Sequence, residues 1–221
     1  MGFARCAVPH FGKNERLNIG MVAIIDYDAG NIKSVEKALL SLGEPAVITR
    51  EHETILKADR VILPGVGAFG DAMEKLHAYG LVEIIKEVID KKTPFLGICL
   101  GLQLLFASSD EAPDVEGLGI LEGKIVRFPD NMGLKVPQIG WNSLVFPNNG
   151  RLFEGIGADS YVYFVHSYYL QAKNPEIVTA ATEYGVHVHA SVEEGNVFAC
   201  QFHPEKSSDV GMRILENFLH V

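Results

Sequence analysis

Cys99 stands in "GICLG", with a glycine two positions away on either side, Gly97 and Gly101. The apolar pair Phe95-Leu96 runs into it and a helical pattern starts directly behind it. This arrangement between a strand and a helix is the thiol counterpart of the serine nucleophile elbow. The tight turn strains the backbone of its central residue and lifts the side chain above the sheet edge. Flanking glycines remove the Cβ atoms that would collide in such a bend. A helix N-terminus behind the sulfur favours thiolate over thiol. The spacing predicts a nucleophile.

A sulfur nucleophile needs a base, and the base needs a group that orients it. "ACQFHPE" offers both, as His203 and Glu205. Residues i and i+2 of an extended chain point the same way, and Pro204 keeps the segment from curling into a helix. Glu205 then accepts from one ring nitrogen and leaves the other to exchange a proton with Cys99. Cys200, inside the apolar "NVFACQF", is read as a buried core thiol.

Two further patterns need weighing. Gly65, Gly67 and Gly70 have the G-x-G-x-x-G spacing of a dinucleotide loop. That loop belongs after a first strand, with an acidic residue about 20 positions on at the end of the second. Here it follows the third apolar run, Glu83 and Glu87 fall in a helical pattern, and the first turn, "YDAGN", lacks the glycines. The loop is therefore free for another task. "VHVH" puts His187 and His189 on one face of a strand, but no third ligand lies at metal spacing. Neither a metal nor a cofactor is expected.

These residues need a scaffold. From Met21 the chain alternates apolar runs ("VAIID", "AVITR", "DRVILPG", "PFLGIC") with helical patterns. Such alternation implies a parallel sheet covered on both faces. "GDAMEKLHAYGL" and "LVEIIKEVIDKK" read as one interrupted helix or two short ones, and "LGLQLLFAS" as the helix behind Cys99. Further on, "GKIVRF", "GWNSLVF", "SYVYFVHSYYLQA", "IVTAATEY", "VHVHASVEEG" and "NVFACQF" are strands joined by short turns, read as antiparallel additions. "SSDVGMRILENFLHV" closes the chain as a helix, with Ser207 or Ser208 available as its N-cap. The fold expected is α/β, a mostly parallel sheet flanked by helices with antiparallel additions in the C-terminal half.

The 221 residues, 48% hydrophobic, suffice for one good-sized core. A formal charge of −9 argues against nucleic-acid or anionic-lipid partners. No apolar run reaches the roughly 18–20 residues that span a bilayer. Three widely spaced cysteines point to a reducing, cytoplasmic setting. Residues 1–20 lack sustained periodicity and read as an extension outside the fold, leaving one domain over 21–221.

With "GICLGLQ" and "FHPEKS" the sequence resembles the class I, triad-type glutamine amidotransferases. Adding "DYDAGNI", "PGVGAFG", "PQIGWN" and "YFVHSYY", it is similar to the glutaminase subunits of imidazole glycerol phosphate synthases over essentially all of Met21–Val221. The resemblance implies hydrolysis of L-glutamine through a cysteine thioester. It gives the Gly65–Val66 peptide and the N–H of Leu100 to the oxyanion, and Gly67, Gln103, Glu111, Ser167 and Tyr168 to the glutamine. It also implies a (β/α)₈-barrel cyclase as heterodimer partner, which uses the ammonia in histidine biosynthesis to form imidazole glycerol phosphate and aminoimidazole carboxamide ribonucleotide. Asn31, Lys135, Pro137, Gln138, Trp141, Tyr163 and Lys206 are the residues expected on the partner face. Three alternatives share parts of the pattern. A glutaminase with a different partner would carry a "PGG"- or "GxP"-like segment, and a non-catalytic module would have lost Cys99, His203 or Glu205. The third is a cysteine hydrolase acting on peptides or thioesters.

Overall fold

The computed structural model describes residues 20–221. The expected extension, residues 1–20, lies outside the described residues except for Gly20, and Cys6 lies outside with it.

The N-terminal half is a parallel sheet with helical crossovers. Its elements in order are β1 (Val22–Ile25), α1 (Ile32–Ser41), β2 (Ala46–Thr49), α2 (His52–Leu56), β3 (Arg60–Gly65), α3 (Phe69–Ala78), α4 (Leu81–Asp90), β4 (Phe95–Cys99) and α5 (Leu100–Leu104). Strands β1 and β4 are buried along their whole length, as a sheet covered on both faces requires. Helices α3 and α4 are separate, broken at Gly80, which takes a left-handed φ of 64° that a side chain would resist. Helix α5 is shorter than "LGLQLLFAS" suggested, ending at Leu104. The single turn α2 carried no sequence signal.

The C-terminal half adds β5 (Gly123–Arg127), β6 (Gln138–Ser143), β7 (Tyr161–His166), β8 (Tyr168–Ala172), β9 (Val178–Glu183), β10 (His187–Glu194), β11 (Val197–Cys200) and α6 (Ser208–Leu219). The main sheet runs β2-β1-β3-β4-β11-β10-β8-β5, with β9 on β10, and β6 pairs with β7 in a separate hairpin. Strands β10, β9, β8 and β5 are antiparallel additions. Strand β11 instead extends the parallel run beside β4. The stretch "SYVYFVHSYYLQA" is two strands in two sheets, parted at Ser167.

One apolar core fills each face of the main sheet. Ile25, Leu63, Phe69, Leu76, Ile85 and Phe106 belong to the first. Ile24, Leu39, Ile62, Leu96, Phe198, Ile214 and Phe218 belong to the second. Register then brings the chemistry together. Gly65 lies opposite Cys99 on the β3–β4 ladder, and Cys200 lies opposite Ile98 on β4–β11. The carboxyl ends of three parallel strands therefore deliver the glycine loop, the thiol and the His203 segment to one edge, where open α/β sheets place their ligands.

Candidate active site

Cys99 ends β4 with φ 56° and ψ −108°, a conformation that strains any side-chain-bearing residue. The glycine bracket is needed sterically. A Cβ on Gly97 would sit 2.7 Å from the Gly101 carbonyl oxygen, and one on Gly101 would run into the Leu63 carbonyl. Gly65 is equally confined, between the Tyr27 hydroxyl and the Cβ of Leu100. The turn is thus packed between β3, the first residues of α5 and the Tyr27 hydroxyl, which leaves no room for side chains at these glycines.

His203 Nδ1 lies 2.8 Å from Glu205 Oε1, and the two side chains are 1% and 0% exposed. The buried Nε2 makes no hydrogen bond, and His203 lines the same cavity as Cys99. Burial on its own lowers the affinity of this imidazole for a proton. Its interactions with Cys99 and Glu205 outweigh that, raising the pKa from 6.5 to about 9. A ring that holds its proton this firmly is suited to deliver it to a departing group.

Two supports of this pair were not assigned by the sequence reading. Asn31, expected on the partner face, donates from Nδ2 to Glu205 Oε1 at 2.6 Å, so its amide is committed to that carboxylate. Ser207, expected to cap α6, makes no capping bond. Its hydroxyl donates to the His203 carbonyl at 2.6 Å and accepts from the Tyr163 N–H at 2.9 Å. The His203 N–H in turn donates to the Tyr163 carbonyl at 3.0 Å. The histidine's backbone is therefore fastened to β7.

Cys99 and His203 border a cavity of about 310 Å³, together with Val66, Gly67, Leu100, Gln103, Glu111, Ser167 and Tyr168. The cavity thus gathers the catalytic, oxyanion and substrate residues expected from sequence, with two exceptions: Gly65, one residue behind the wall, and Glu205, behind His203. Glu111 accepts the Phe69 N–H at 2.9 Å through Oε2, which fixes its carboxylate at the rim. Gln103 Nε2 donates to the Tyr168 carbonyl at 3.2 Å and to Gln201 Oε1 at 3.0 Å. Gly67 takes φ 103°, so the loop beside the cavity depends on a residue without Cβ.

Three residues at the site escaped the sequence reading. Gln201, fully buried, donates from Nε2 to the Cys99 sulfur at 3.7 Å. Its role depends on lateral register, one step beyond the Cys200–Ile98 pair, and nothing in local spacing reports that. His166 also lines the cavity, and burial lowers its pKa to about 4. The inward alternation Val162, Phe164, His166 could have revealed it. The Tyr27 hydroxyl is buried without a partner behind Gly65, and burial raises its pKa well above the ordinary phenol range.

On the expected partner face, Lys135, Pro137, Trp141 and Lys206 are exposed and Tyr163 is half-buried. Gln138 is the correction: it is 2% exposed, with its amide against His166, because β6 turns that position inward. The two strand histidines are also engaged. His189 Nδ1 accepts the Ala172 N–H at 3.0 Å, and His187 bonds Glu183. Cys200 is buried, with its thiol near the Phe202 carbonyl. Among the described residues no helix is long and apolar enough to cross a membrane.

Comparison with known proteins follows the same outline. The family model described as glutamine amidotransferase class-I matches residues 23–221. The imidazole glycerol phosphate synthase subunit HisH of Moorella thermoacetica is 52% identical over 197 residues, covering 89% of this chain and 93% of its own. That of Aquifex aeolicus is 47% identical over 88% and 94%, and that of Methanocaldococcus jannaschii 46% over 91% and 100%. A glutamine amidotransferase crystal structure superposes with a TM-score of 0.70 at 23% identity, covering 90% of this chain and 99% of that one. The crystal structure of a glutamine amidotransferase from Thermotoga maritima gives 0.62 at 18%, covering 90% and 81%. At these identities the structures speak for the fold alone. The chain belongs to the glutamine amidotransferase class-I family and, within it, to the HisH subunits of imidazole glycerol phosphate synthase.

Proposed function

We propose that this chain hydrolyses L-glutamine at Cys99 and passes the ammonia to a cyclase subunit of (β/α)₈-barrel type in a heterodimer. The partner uses it to form imidazole glycerol phosphate and aminoimidazole carboxamide ribonucleotide. The observation that carries the reading is the strained Cys99 in a cavity shared with His203, whose far nitrogen is held by Glu205.

The sulfur attacks the side-chain carbonyl carbon of glutamine, forming a tetrahedral oxyanion that faces the N–H groups of Val66 and Leu100. His203 Nε2–H protonates the departing nitrogen, the C–N bond breaks, and a glutamyl thioester remains. The now neutral His203 takes a proton from water and the hydroxide oxygen bonds to the thioester carbon; the C–S bond then breaks, the sulfur keeps its electron pair as thiolate, and glutamate leaves. Glu111 pairs with the substrate ammonium, and Gly67, Gln103, Ser167 and Tyr168 complete the pocket. One oxyanion donor is worth about 10²–10³ in rate. Glycine on either side of Val66 lets the Gly65–Val66 peptide rotate at low cost, so the reading includes a donor turned into place only in the loaded complex. Reduced Cys99 fits a cytoplasmic setting.

The β6–β7 hairpin supports a docking face. Ile139, Trp141 and Tyr161 are 63%, 52% and 56% exposed, and the Trp141 ring packs edge-on to Tyr163 at 6.2 Å. Large apolar side chains exposed side by side mark an interaction surface. We assign residues 21–221 to the amidotransferase domain and 1–20 to an extension outside it.

The test assays glutamate release with and without the cyclase and its nucleotide ligand, and labels Cys99 with diazo-oxo-norleucine. Turnover and a Cys99 adduct are expected in the complex. Cys99→Ala should lower the glutamine-dependent reaction by about 10³-fold or more and leave the ammonia-dependent reaction of the complex unchanged. A full glutaminase rate in the free subunit, or no adduct in the complex, contradicts the proposal.

A further inference from the structure

Hydrogen bonds run without a break from Gln138 on the hairpin to the nucleophile. Gln138 meets His166 Nε2 at 3.0 Å, and His166 Nδ1 meets the Tyr168 carbonyl at 2.8 Å. That carbonyl also receives Gln103 Nε2, which donates to Gln201 Oε1, and Gln201 Nε2 donates to the Cys99 sulfur. The side chains are all interior: Gln138 is 2% exposed, His166 6%, Gln103 5%, Gln201 0% and Cys99 7%.

The ends of this line fix its polarity. Sulfur accepts from Gln201 Nε2, so Gln201 must offer its oxygen to Gln103. Both Gln103 N–H groups are then spent, on Gln201 and on Tyr168. At the other end a neutral His166 has one N–H, which goes to the Tyr168 carbonyl, and its Nε2 becomes an acceptor. The Gln138 amide, with its oxygen placed toward that nitrogen, satisfies it by turning over to present its NH₂. Burial keeps His166 neutral, in agreement with this polarity. Gln103 is left with one free group for the cavity, its carbonyl oxygen.

Resting on the glutaminase reading above, we propose that Gln201 and His166 are positioning residues. They hold the Cys99 sulfur and turn the Gln103 amide so that only its oxygen meets a donor of the substrate, with Gln138 anchoring the line at the hairpin. An amide N–H aimed at sulfur stabilises thiolate more than thiol. Loss of Gln201 therefore weakens the nucleophile and frees Gln103 to turn its NH₂ toward the substrate.

The experiment uses the assembled complex. Gln201→Met should slow alkylation of Cys99 by iodoacetamide at pH 7 about tenfold, with adducts mapped by peptide mass. It should also lower kcat for glutamine about 30-fold and raise KM several-fold, while ammonia-dependent synthesis stays at the wild-type rate. Gln201→Asn, which withdraws the amide by one methylene, carries the same expectation should the Met variant fail to assemble. Gln138→Leu should raise KM with little change in kcat. Combined with a Gln201 variant, it should cost at least threefold less than the product of the single losses, whereas separated residues without shared partners act independently. Alkylation and kinetics of the Gln201 variants within twofold of wild type, or losses that multiply independently, overturn the proposal. A wild-type complex that neither alkylates at Cys99 nor turns over glutamine overturns the glutaminase reading instead.

Discussion

His203 is subject to opposing forces. Burial lowers its proton affinity, and Cys99 with Glu205 raises it further than burial lowers it, from 6.5 to about 9. The folded protein thus binds this proton more tightly than the unfolded chain. The resulting stability is fully present below about pH 6.5 and is lost as pH rises toward 9. Melting temperatures of the wild type and His203→Gln across that interval should converge with increasing pH; a wild-type advantage that grows toward pH 9 contradicts the assignment. The contact of Glu205 with His203 was legible in the sequence because a spacing of two constrains direction in extended chain, and the turn at Cys99 because glycines bracket it. Asn31 and Gln201 were not legible in these roles. Each meets its partner across more than a hundred positions of chain, and an isolated amide has no spacing to read.

Among the elements, the turn from β4 into α5 was the most readable and is the most constrained. A methyl group on Gly101 would strike the Leu63 carbonyl, which belongs to β3 and cannot swing away like a flexible side chain. Gly101→Ala should therefore destabilise the protein by about 3 kcal/mol, the upper range for overpacking. Gly157, with no atom near its would-be Cβ, should tolerate alanine within about 0.5 kcal/mol. Urea midpoints of the two variants provide the check, and equal midpoints would remove the steric account of the elbow. Where the reading of elements failed, periodicity gave no cue. The stretch 161–170 is apolar or aromatic at nearly every position, so the change of inward side from Val162, Phe164 and His166 to Tyr169 and Leu170, where the chain changes sheets at Ser167, left no mark in the sequence.

At the scale of the whole molecule, the hairpin carries an exposed aromatic strip on one side and is tied to the site on the other. His203 and Ser207 bond Tyr163, and His166 bonds Gln138. Replacing Trp141, 52% exposed, by alanine should leave the melting temperature of the free chain nearly unchanged. It should raise Kd for the proposed cyclase subunit about tenfold, as loss of an interface anchor does. Thermal melts and titration calorimetry measure the two arms, and unchanged affinity would place the partner elsewhere. The sequence by itself determined the class of chemistry, the parallel α/β scaffold and the residues proposed as nucleophile, base and orienting acid. Residue type, glycine placement and apolar alternation act over distances that local backbone geometry governs. Only the tertiary structure decided which way Asn31 and Gln138 face, that β11 joins the parallel run, and that Gln201 reaches the sulfur. Those outcomes depend on the lateral register and order of strands far apart in the chain, set by how two cores close on the sheet as a whole.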